Sequence, residues 1–259
     1  MHHDAPYLDA PAPLAFAHRG GAALGDENTA EAFARAVSLG YRYVETDVHG
    51  TADGVAVIFH DPTLERVTGE KGRIADLRWT DLASVRVGGA AAVPRLADVL
   101  DAWPHVRFNV DVKADNGVHP TVETIQRTGA GDRVLLASFS DRRLHRLRSL
   151  AGPQVASSLG MRGVARLRIA SVTGRRMRLP TSVVAAQVPV WYGRLRVVDQ
   201  RFVDYAHRLG LQIHVWTIDE PTEMHELLDL GVDGIMTDHV DVLRNVYLSR
   251  GLWPSDHTP

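Results

Sequence analysis

The sequence predicts an α/β fold, a TIM (β/α)₈ barrel in a single domain. Short apolar segments with the pattern of strands recur along the chain, and each is followed by a segment with the period of an amphipathic helix. They make eight strand–helix repeats in 259 residues, which is the number of repeats and the chain length typical of such a barrel. An open doubly wound sheet is the alternative, but no G-x-G-x-x-G turn follows any of the strands.

The predicted elements follow one another in a regular order. The strands are expected at 14–17, 43–48, 106–113, 133–139, 154–158, 183–188, 211–217 and 234–237. The helices after them are expected at 29–39, 96–103, 121–128, 141–150, 162–172, 198–209, 221–230 and 240–248. Residues 55–59, after a turn at 52–54, are counted as an extension of the second strand. Because no Pro-, Gly- or Ser-rich linker divides the chain, one barrel domain is predicted at 14–250 between tails at 1–13 and 251–259.

The amino-acid composition restricts the kinds of functional site that the chain can contain. With 45% hydrophobic residues the chain can bury a substantial core. It has no cysteine, so a disulfide framework, a thiolate nucleophile and a zinc–sulfur site are excluded, and a metal has to use carboxylate or histidine ligands. The first residues lack the layout of a signal peptide and no apolar run is long enough to span a membrane, which predicts a cytoplasmic protein.

Charge is unevenly distributed although the net charge is only −2. Between Asp141 and Asp199 there are twelve arginines and no acidic residue. Such a segment can attract an anionic lipid surface in a peripheral contact. The alternative is that these arginines are solvated on outer helices or paired with acids of neighbouring segments. No nucleic-acid partner is expected.

Two acids stand out in the second predicted strand. Glu45 and Asp47 are two residues apart, so their side chains point to the same face. Two carboxylates on a buried face repel each other unless a cation lies between them, and Mg²⁺ and Ca²⁺ prefer oxygen ligands of this kind. An edge strand with one solvated face is the alternative.

Further polar residues lie where other predicted strands end. The whole set comprises His18, Arg19, Glu45, Asp47, His60, Asp111 and Lys113. The carboxyl ends of barrel strands form the active site, so we expect these side chains to meet. Three carboxylates can hold one divalent ion, two cations suit a phosphate group, and two histidines can serve as acid and base in breaking a phosphodiester. Trp216, at another strand end, is either an apolar wall of this site or a core residue, while Asn28 and Thr29 are expected to cap the first helix.

Several stretches together resemble the glycerophosphodiester phosphodiesterase family. They are His18-Arg19-Gly20, Glu27-Asn28-Thr29, Glu45-Thr46-Asp47, the run from His60 to Leu64, the run from Asn109 to Lys113 and the run from Gly231 to Asp238. The similarity runs in order from about Ala15 to Val246. Any one of these motifs is weak evidence, but the combination is specific.

The resemblance implies a metal-dependent enzyme that hydrolyses glycerophosphodiesters to glycerol 3-phosphate and an alcohol. It implies the following roles: His18 and His60 as acid and base, Glu45, Asp47 and Asp111 as metal ligands, and Arg19 and Lys113 as phosphate-binding residues. The cofactor is expected to be one divalent cation, Mg²⁺ or Ca²⁺, with Mn²⁺ as a third candidate. The implied mechanism is attack by the glycerol 2-hydroxyl, which gives a cyclic phosphate that water then opens. Asp111 departs from the family pattern, which usually has Glu there.

Two other functions are weighed against this one. The first is lysophospholipase D or sphingomyelinase D-like activity on a lipid phosphodiester, with the arginine-rich segment 142–196 facing a membrane. The second is a barrel that binds phosphorylated ligands without turnover. A binding protein would not need the pair of histidines, so the sequence favours an enzyme.

Overall fold

The computed structural model describes residues 5–253 and contains a closed barrel of eight parallel strands. The strands are β1 (Leu14–Ala17), β2 (Tyr43–Gly50), β3 (Arg107–Val112), β4 (Val134–Ala137), β5 (Ala156–Ser158), β6 (Val183–Val188), β7 (Gln212–Val215) and β8 (Gly234–Thr237). The barrel closes because β1 pairs with both β2 and β8. The predicted single-domain TIM barrel is confirmed.

A helix follows each strand and packs outside the barrel. These helices are α1 (Ala30–Ser38), α2 (Leu96–Ala102), α3 (Val118–Arg127), α4 (Asp141–Ala151), α5 (Met161–Thr173), α6 (Gln200–Arg208), α7 (Pro221–Leu230) and α8 (Val240–Ser249). Thr29 caps α1 as expected, since its hydroxyl accepts a hydrogen bond from the backbone N–H of Ala32 at 3.1 Å. Within residues 5–253, no helix combines the length and the apolar character needed to cross a bilayer.

The segment after β2 differs from the prediction. A strand at Ala56–Ile58 runs antiparallel to β2, with Val48 opposite Ile58, so these residues fold back instead of extending β2. The reversal passes through Gly54, whose φ of 79° is readily adopted by glycine. Residues 57–93 then build a small apolar cluster of their own around Phe59, Leu64 and Leu82. This inserted segment lies over one side of the barrel rim and carries His60.

Apolar side chains fill two layers. One lies between strands and helices, and the other lies inside the barrel, where Phe16, Tyr43 and Met236 pack together. Tyr7 belongs to the inner layer and packs edge-on against Tyr43, with ring centres 5.5 Å apart. Part of segment 1–13 therefore packs against the barrel. Residues 1–4 and 254–259 of the two predicted tails lie outside the described residues.

Candidate active site

A cavity of about 440 Å³ opens at the carboxyl ends of the strands. All the candidate residues from the sequence line it: His18, Arg19, Glu45, Asp47, His60, Asp111, Lys113 and Trp216. They come from loops and strand ends at β1, β2, β3 and β7 and from the inserted segment. The fold thus brings together every residue that the strand-end argument selected.

The three acids form a buried group on two neighbouring strands. Register pairs Asp47 of β2 with Asp111 of β3, and Glu45 with Asn109 one layer below. Glu45, Asp47 and Asp111 are 5%, 1% and 6% exposed. Since β2 is buried along its whole length between β1 and β3, the alternative of a solvated edge strand is excluded.

Two cationic side chains neutralise part of this group. The ammonium of Lys113 lies 2.7 Å from Asp47 Oδ1 and 2.7 Å from Asp111 Oδ2. Arg19 Nε lies 3.2 Å from Asp47 Oδ2. Burial opposes ionisation of Asp47, but Lys113 and Arg19 outweigh it and hold its pKa below the ordinary value. At Asp111 burial dominates and raises the pKa.

Glu45 is the least compensated of the acids. Its Oε2 accepts a hydrogen bond from the backbone N–H of Arg19 at 3.1 Å and lies 3.7 Å from Nε2 of His18. Burial, together with the nearby charge of Asp47, raises the pKa of Glu45 to about 7. Additional positive charge beside Glu45 would therefore be stabilised in this cavity.

Each of the two histidines is oriented by a carboxylate through Nδ1. His18 Nδ1 lies 2.7 Å from Asp238 Oδ1, and His60 Nδ1 lies 2.6 Å from Asp61 Oδ1. A proton on Nδ1, held by the carboxylate, leaves Nε2 of the ring for proton transfer. Burial lowers the pKa of His18, but the charge of Glu45 and the hydrogen bond to Asp238 outweigh burial and raise it.

The partners of the histidines were not identified from the sequence. Asp238 ends the last of the motifs that resemble the family and Asp61 directly follows His60, but nothing in the sequence assigns either carboxylate to a histidine. Asp238 is 220 positions from His18 and reaches it because β8 closes the barrel against β1. Asp219 holds the loop after β8, since its Oδ1 accepts hydrogen bonds from Thr237 Oγ1 and from the backbone N–H of Asp238, each at 2.9 Å.

The loop after β1 has unusual backbone geometry. Arg19 and Asn28, with φ of 50° and 60°, are the non-glycine residues with positive φ among residues 5–253. Such conformations cost free energy and persist where the surroundings enforce them, often at functional sites. Here they aim the N–H of Arg19 at Glu45 and the amide of Asn28 at Asp47, at 2.8 Å. Asn28 therefore supports an acid of the site, and the expectation that it caps α1 is wrong.

Only glycine fits at position 20, directly after His18 and Arg19. Its φ is 82°, and a Cβ atom there would lie 2.7 Å from the ring of Phe33 in α1. The close approach of this loop to α1 leaves no room for a side chain.

An ion-pair network joins the inserted segment to the first loop. Arg66 Nε lies 2.6 Å from Asp61, and its Nη2 lies 2.6 Å from Glu27. Glu27 in turn accepts a hydrogen bond from Arg19 at 3.2 Å. The orientation of His60, through Asp61, is therefore coupled to the position of Arg19.

The wall of the cavity away from the acids is apolar. It is formed by Phe139, Leu159, Met161, Val164, Tyr192, Leu195 and Trp216. Trp216 packs edge-on against Phe139, with ring centres 5.6 Å apart, and also packs against the inner layer of the barrel. Trp216 thus lies at the cavity surface and also contacts the core, and its role as a wall for the substrate stays a prediction.

The donor set fits a divalent cation. No group of three or more His, Asp or Glu side chains in the described part of the chain has the spacing of a metal site as it stands. However, the ammonium of Lys113 bridges two of the carboxylates as a cation would. In addition, Oδ1 of Asp111 and Oδ1 of Asn109 are buried and form no hydrogen bond to described residues. Such oxygens are the ligands that Mg²⁺ and Ca²⁺ prefer, and the sequence had not singled out Asn109.

The barrel, the acid and cation group and the two carboxylate-oriented histidines define a TIM-barrel enzyme of the phosphodiester hydrolase class. Residues 18–242 match the glycerophosphoryl diester phosphodiesterase family. The chain belongs to this family, which confirms the resemblance seen in its motifs and the prediction of an enzyme of this kind.

Comparisons with individual proteins agree with this assignment. The chain is similar to "Probable glycerophosphodiester phosphodiesterase 2" of Mycobacterium tuberculosis, with 41% identity over 244 residues that cover 93% of this chain and 92% of the relative. It is similar to "Lysophospholipase D GDPD1" of Homo sapiens, with 26% identity, covering 88% of this chain and 84% of the relative. Its fold is similar to that of an Oleispira antarctica phosphodiesterase solved in complex with the product sn-glycerol-3-phosphate, with a TM-score of 0.76, 21% identity and coverage of 91% and 96%.

Proposed function

We propose that the protein hydrolyses glycerophosphodiesters to glycerol 3-phosphate and an alcohol, using one divalent cation and the histidines His18 and His60. The observation that carries this proposal is the pairing of each histidine, through Nδ1, with its own carboxylate at the edge of one cavity that also contains three acids. The match to the family and the product complex of the Oleispira antarctica relative support the choice of substrate class.

Arg19 and Lys113 are the proposed phosphate-binding residues. Both lie beside Asp47 and are mostly buried, so their charges are weakly screened and attract a phosphodiester anion strongly. Glu45, Asp47 and Asp111 would hold the cation, Mg²⁺ or Ca²⁺ with Mn²⁺ as a third candidate, and Asn109 Oδ1 lies in the same layer as Glu45. When bound, the ion supplies positive charge that offsets the charge developing on the phosphoryl oxygens.

The histidines would act in turn as base and acid. One Nε2 accepts the proton of the glycerol 2-hydroxyl as that oxygen forms a bond to phosphorus, and the other donates a proton to the alcohol oxygen as its bond to phosphorus breaks. Water then opens the cyclic phosphate, with the proton transfers reversed. The carboxylates of Asp238 and Asp61 fix the tautomers that both steps need.

Substitution of the histidines tests these roles. His18→Ala and His60→Ala should each lower kcat on glycerophosphocholine by about 10² to 10⁴, because each removes a proton-transfer group. His105→Ala is the matched control, since this exposed residue precedes β3 at the other end of the barrel and should leave kcat unchanged. Wild-type turnover in both active-site variants would refute the assignment.

Two further measurements test separately the orientation of His18 by Asp238 and the need for a divalent cation. Asp238→Asn keeps a hydrogen-bond acceptor for His18 but removes a charge that raises its pKa, so the limb of the pH–rate profile that reports His18 should move to lower pH. Exhaustive chelation should abolish turnover, and Mg²⁺, Ca²⁺ or Mn²⁺ should restore it. Full activity after chelation would contradict the role given to the three acids.

The apolar wall favours a lysolipid phosphodiesterase as the second candidate. Phe139, Leu159 and Leu195 can accommodate an acyl chain, and the human relative is named a lysophospholipase D. Turnover of glycerophosphocholine compared with that of a long-chain lysophosphatidylcholine distinguishes the two, and turnover of the lipid alone would refute the first candidate. The cytoplasmic location stays a prediction.

A further inference from the structure

A short hairpin between β6 and α6 exposes large apolar side chains. Trp191 and Tyr192 pair with Leu195 and Arg196 in an antiparallel ladder, and the turn begins at Gly193, whose φ is 57°. Trp191, Tyr192 and Leu195 are 53%, 66% and 53% exposed, and every residue of the hairpin is exposed. A soluble fold gains nothing from three such side chains in water, so a contact is expected here.

The two faces of this hairpin differ in what they touch. Tyr192 and Leu195 are directly paired, and both line the cavity. Trp191 and Arg196 form the other pair, do not line the cavity, and stack with the guanidinium 5.8 Å from the ring centre. Binding of a substrate therefore accounts for one face and leaves Trp191 without a function.

Other exposed apolar side chains lie at the same end of the barrel. Phe139 follows β4 and Met161 begins α5, and each is about half exposed at the edge of the cavity. Leu24, in the loop after β1, is also exposed. All these loops follow the carboxyl ends of strands, so the apolar groups surround the opening of the cavity.

The ion pairs show which arginines of segment 142–196 remain for a partner. Arginines with a carboxylate partner are Arg142, Arg143, Arg146 and Arg168. Residues 175–178 lie beyond the end of α5, at the opposite end of the barrel. Arg148 donates hydrogen bonds to Ser157 and Ser158. Of the remaining arginines, Arg162, Arg166, Arg194 and Arg196 are exposed and form no ion pair within residues 5–253; Arg166 lies midway along α5, and the other three lie at the cavity end. The unpaired arginines at the cavity end are thus fewer than the sequence suggested. They lie at the same end of the barrel as the exposed apolar side chains around the opening of the cavity.

We propose that a docking surface made by Phe139, Met161, Trp191, Arg194 and Arg196 binds an anionic phospholipid bilayer with the cavity facing the lipid. Tryptophan and tyrosine side chains favour the membrane–water interface, and arginines near the surface are attracted by anionic headgroups. Few apolar groups and few cations together give a reversible peripheral contact. This inference concerns binding and stands independently of the proposed hydrolysis.

Vesicle sedimentation tests the docking surface. The wild-type protein should sediment with vesicles of phosphatidylcholine and phosphatidylglycerol, less so in high salt, and should not sediment with phosphatidylcholine alone. Arg194→Glu should weaken binding by at least about fivefold, the effect of one cation near the surface. Trp191→Ser should weaken it by about tenfold through loss of apolar contact.

Two matched variants control for nonspecific effects. Arg176→Glu makes the same charge change on the acid-free segment but at the far end of the barrel, and Leu248→Ser removes an exposed apolar side chain from the end of α8. Both should bind vesicles like the wild type. Equal loss of binding in these controls, or failure of the wild type to bind anionic vesicles, would overturn the proposal.

Two more readouts complete the test. If the wild type forms dimers that Trp191→Ser abolishes, the surface is an interface between copies of the chain and the proposal is wrong. Turnover of soluble glycerophosphocholine should stay unchanged in Trp191→Ser and Arg194→Glu, since neither side chain lines the cavity. Vesicle binding by a protein that hydrolyses no phosphodiester would refute the proposed function and leave the docking surface intact.

Discussion

Replacement of Asn28 by alanine should be among the most destabilising single changes in the site. The buried amide donates to Asp47 at 2.8 Å and accepts from Thr46 Oγ1 at 2.8 Å and from the backbone N–H of Asp47 at 3.3 Å. A hydrogen bond to a charged group is worth about 1.5–3 kcal/mol, and each buried donor left unpaired costs about 1–3 kcal/mol. We therefore expect Asn28→Ala to lower the free energy of unfolding by about 3–5 kcal/mol.

The backbone of Asn28 provides a second test of the same reasoning. At a φ of 60°, alanine is strained and glycine is not, so Asn28→Gly should be about 1 kcal/mol more stable than Asn28→Ala although it loses the same hydrogen bonds. Urea unfolding of both variants measures this difference, with Asn245→Ala on the exposed face of α8 as a control that should change little. The reasoning fails if Asn28→Ala is within 0.5 kcal/mol (about the effect of an ordinary surface change) of the wild type, or if the glycine variant is the less stable of the two.

Two other predictions concern buried charge. Burial lowers the pKa of His214 to about 3 from 6.5, so the unfolded chain gains a proton below pH 6.5 that the folded protein does not accept. The wild type should therefore lose stability relative to His214→Gln by about 1.4 kcal/mol per pH unit as the pH falls from about 6.5 towards 3. If the urea midpoints of the two proteins differ by the same amount at pH 7 and at pH 5, this prediction is wrong. Lys113→Met leaves Asp111 without an ion-pair partner and Asp47 with Arg19 alone. Without divalent ions it should therefore be about 3–5 kcal/mol less stable than the wild type, and added Ca²⁺ should raise its melting temperature more than that of the wild type. Equal responses to Ca²⁺ would show that the lysine and the ion do not neutralise the same acids.

Local patterns were sufficient to predict the barrel and the group of acids, cations and histidines that meet in its cavity. The two-residue spacing of Glu45 and Asp47 fixes a common face in any strand, and the position of His18 and Asp111 at strand ends places them on one rim of a barrel. Helix boundaries were close for the same reason, since Thr29 and Gly40 act through neighbouring residues.

Features that depend on three-dimensional closure or on single backbone angles were not predictable. Nothing near Asp238 in the sequence indicates that it meets His18, and nothing near Asn28 indicates a positive φ. The hairpin at 191–196 has strands of two residues, too short to show a period, and the strand at 56–58 has a composition compatible with either direction.

The bond between His18 and Asp238 has a consequence for synthesis of the chain. Since β1 and β8 meet only when the barrel closes, a nascent chain that has already formed seven strands still lacks the carboxylate that orients its first histidine. Such a contact between distant positions forms late and slowly compared with contacts within one strand–helix repeat. Incomplete chains on the ribosome are therefore expected to be inactive towards phosphodiesters. The time at which activity first appears during synthesis would report the time at which the barrel closes.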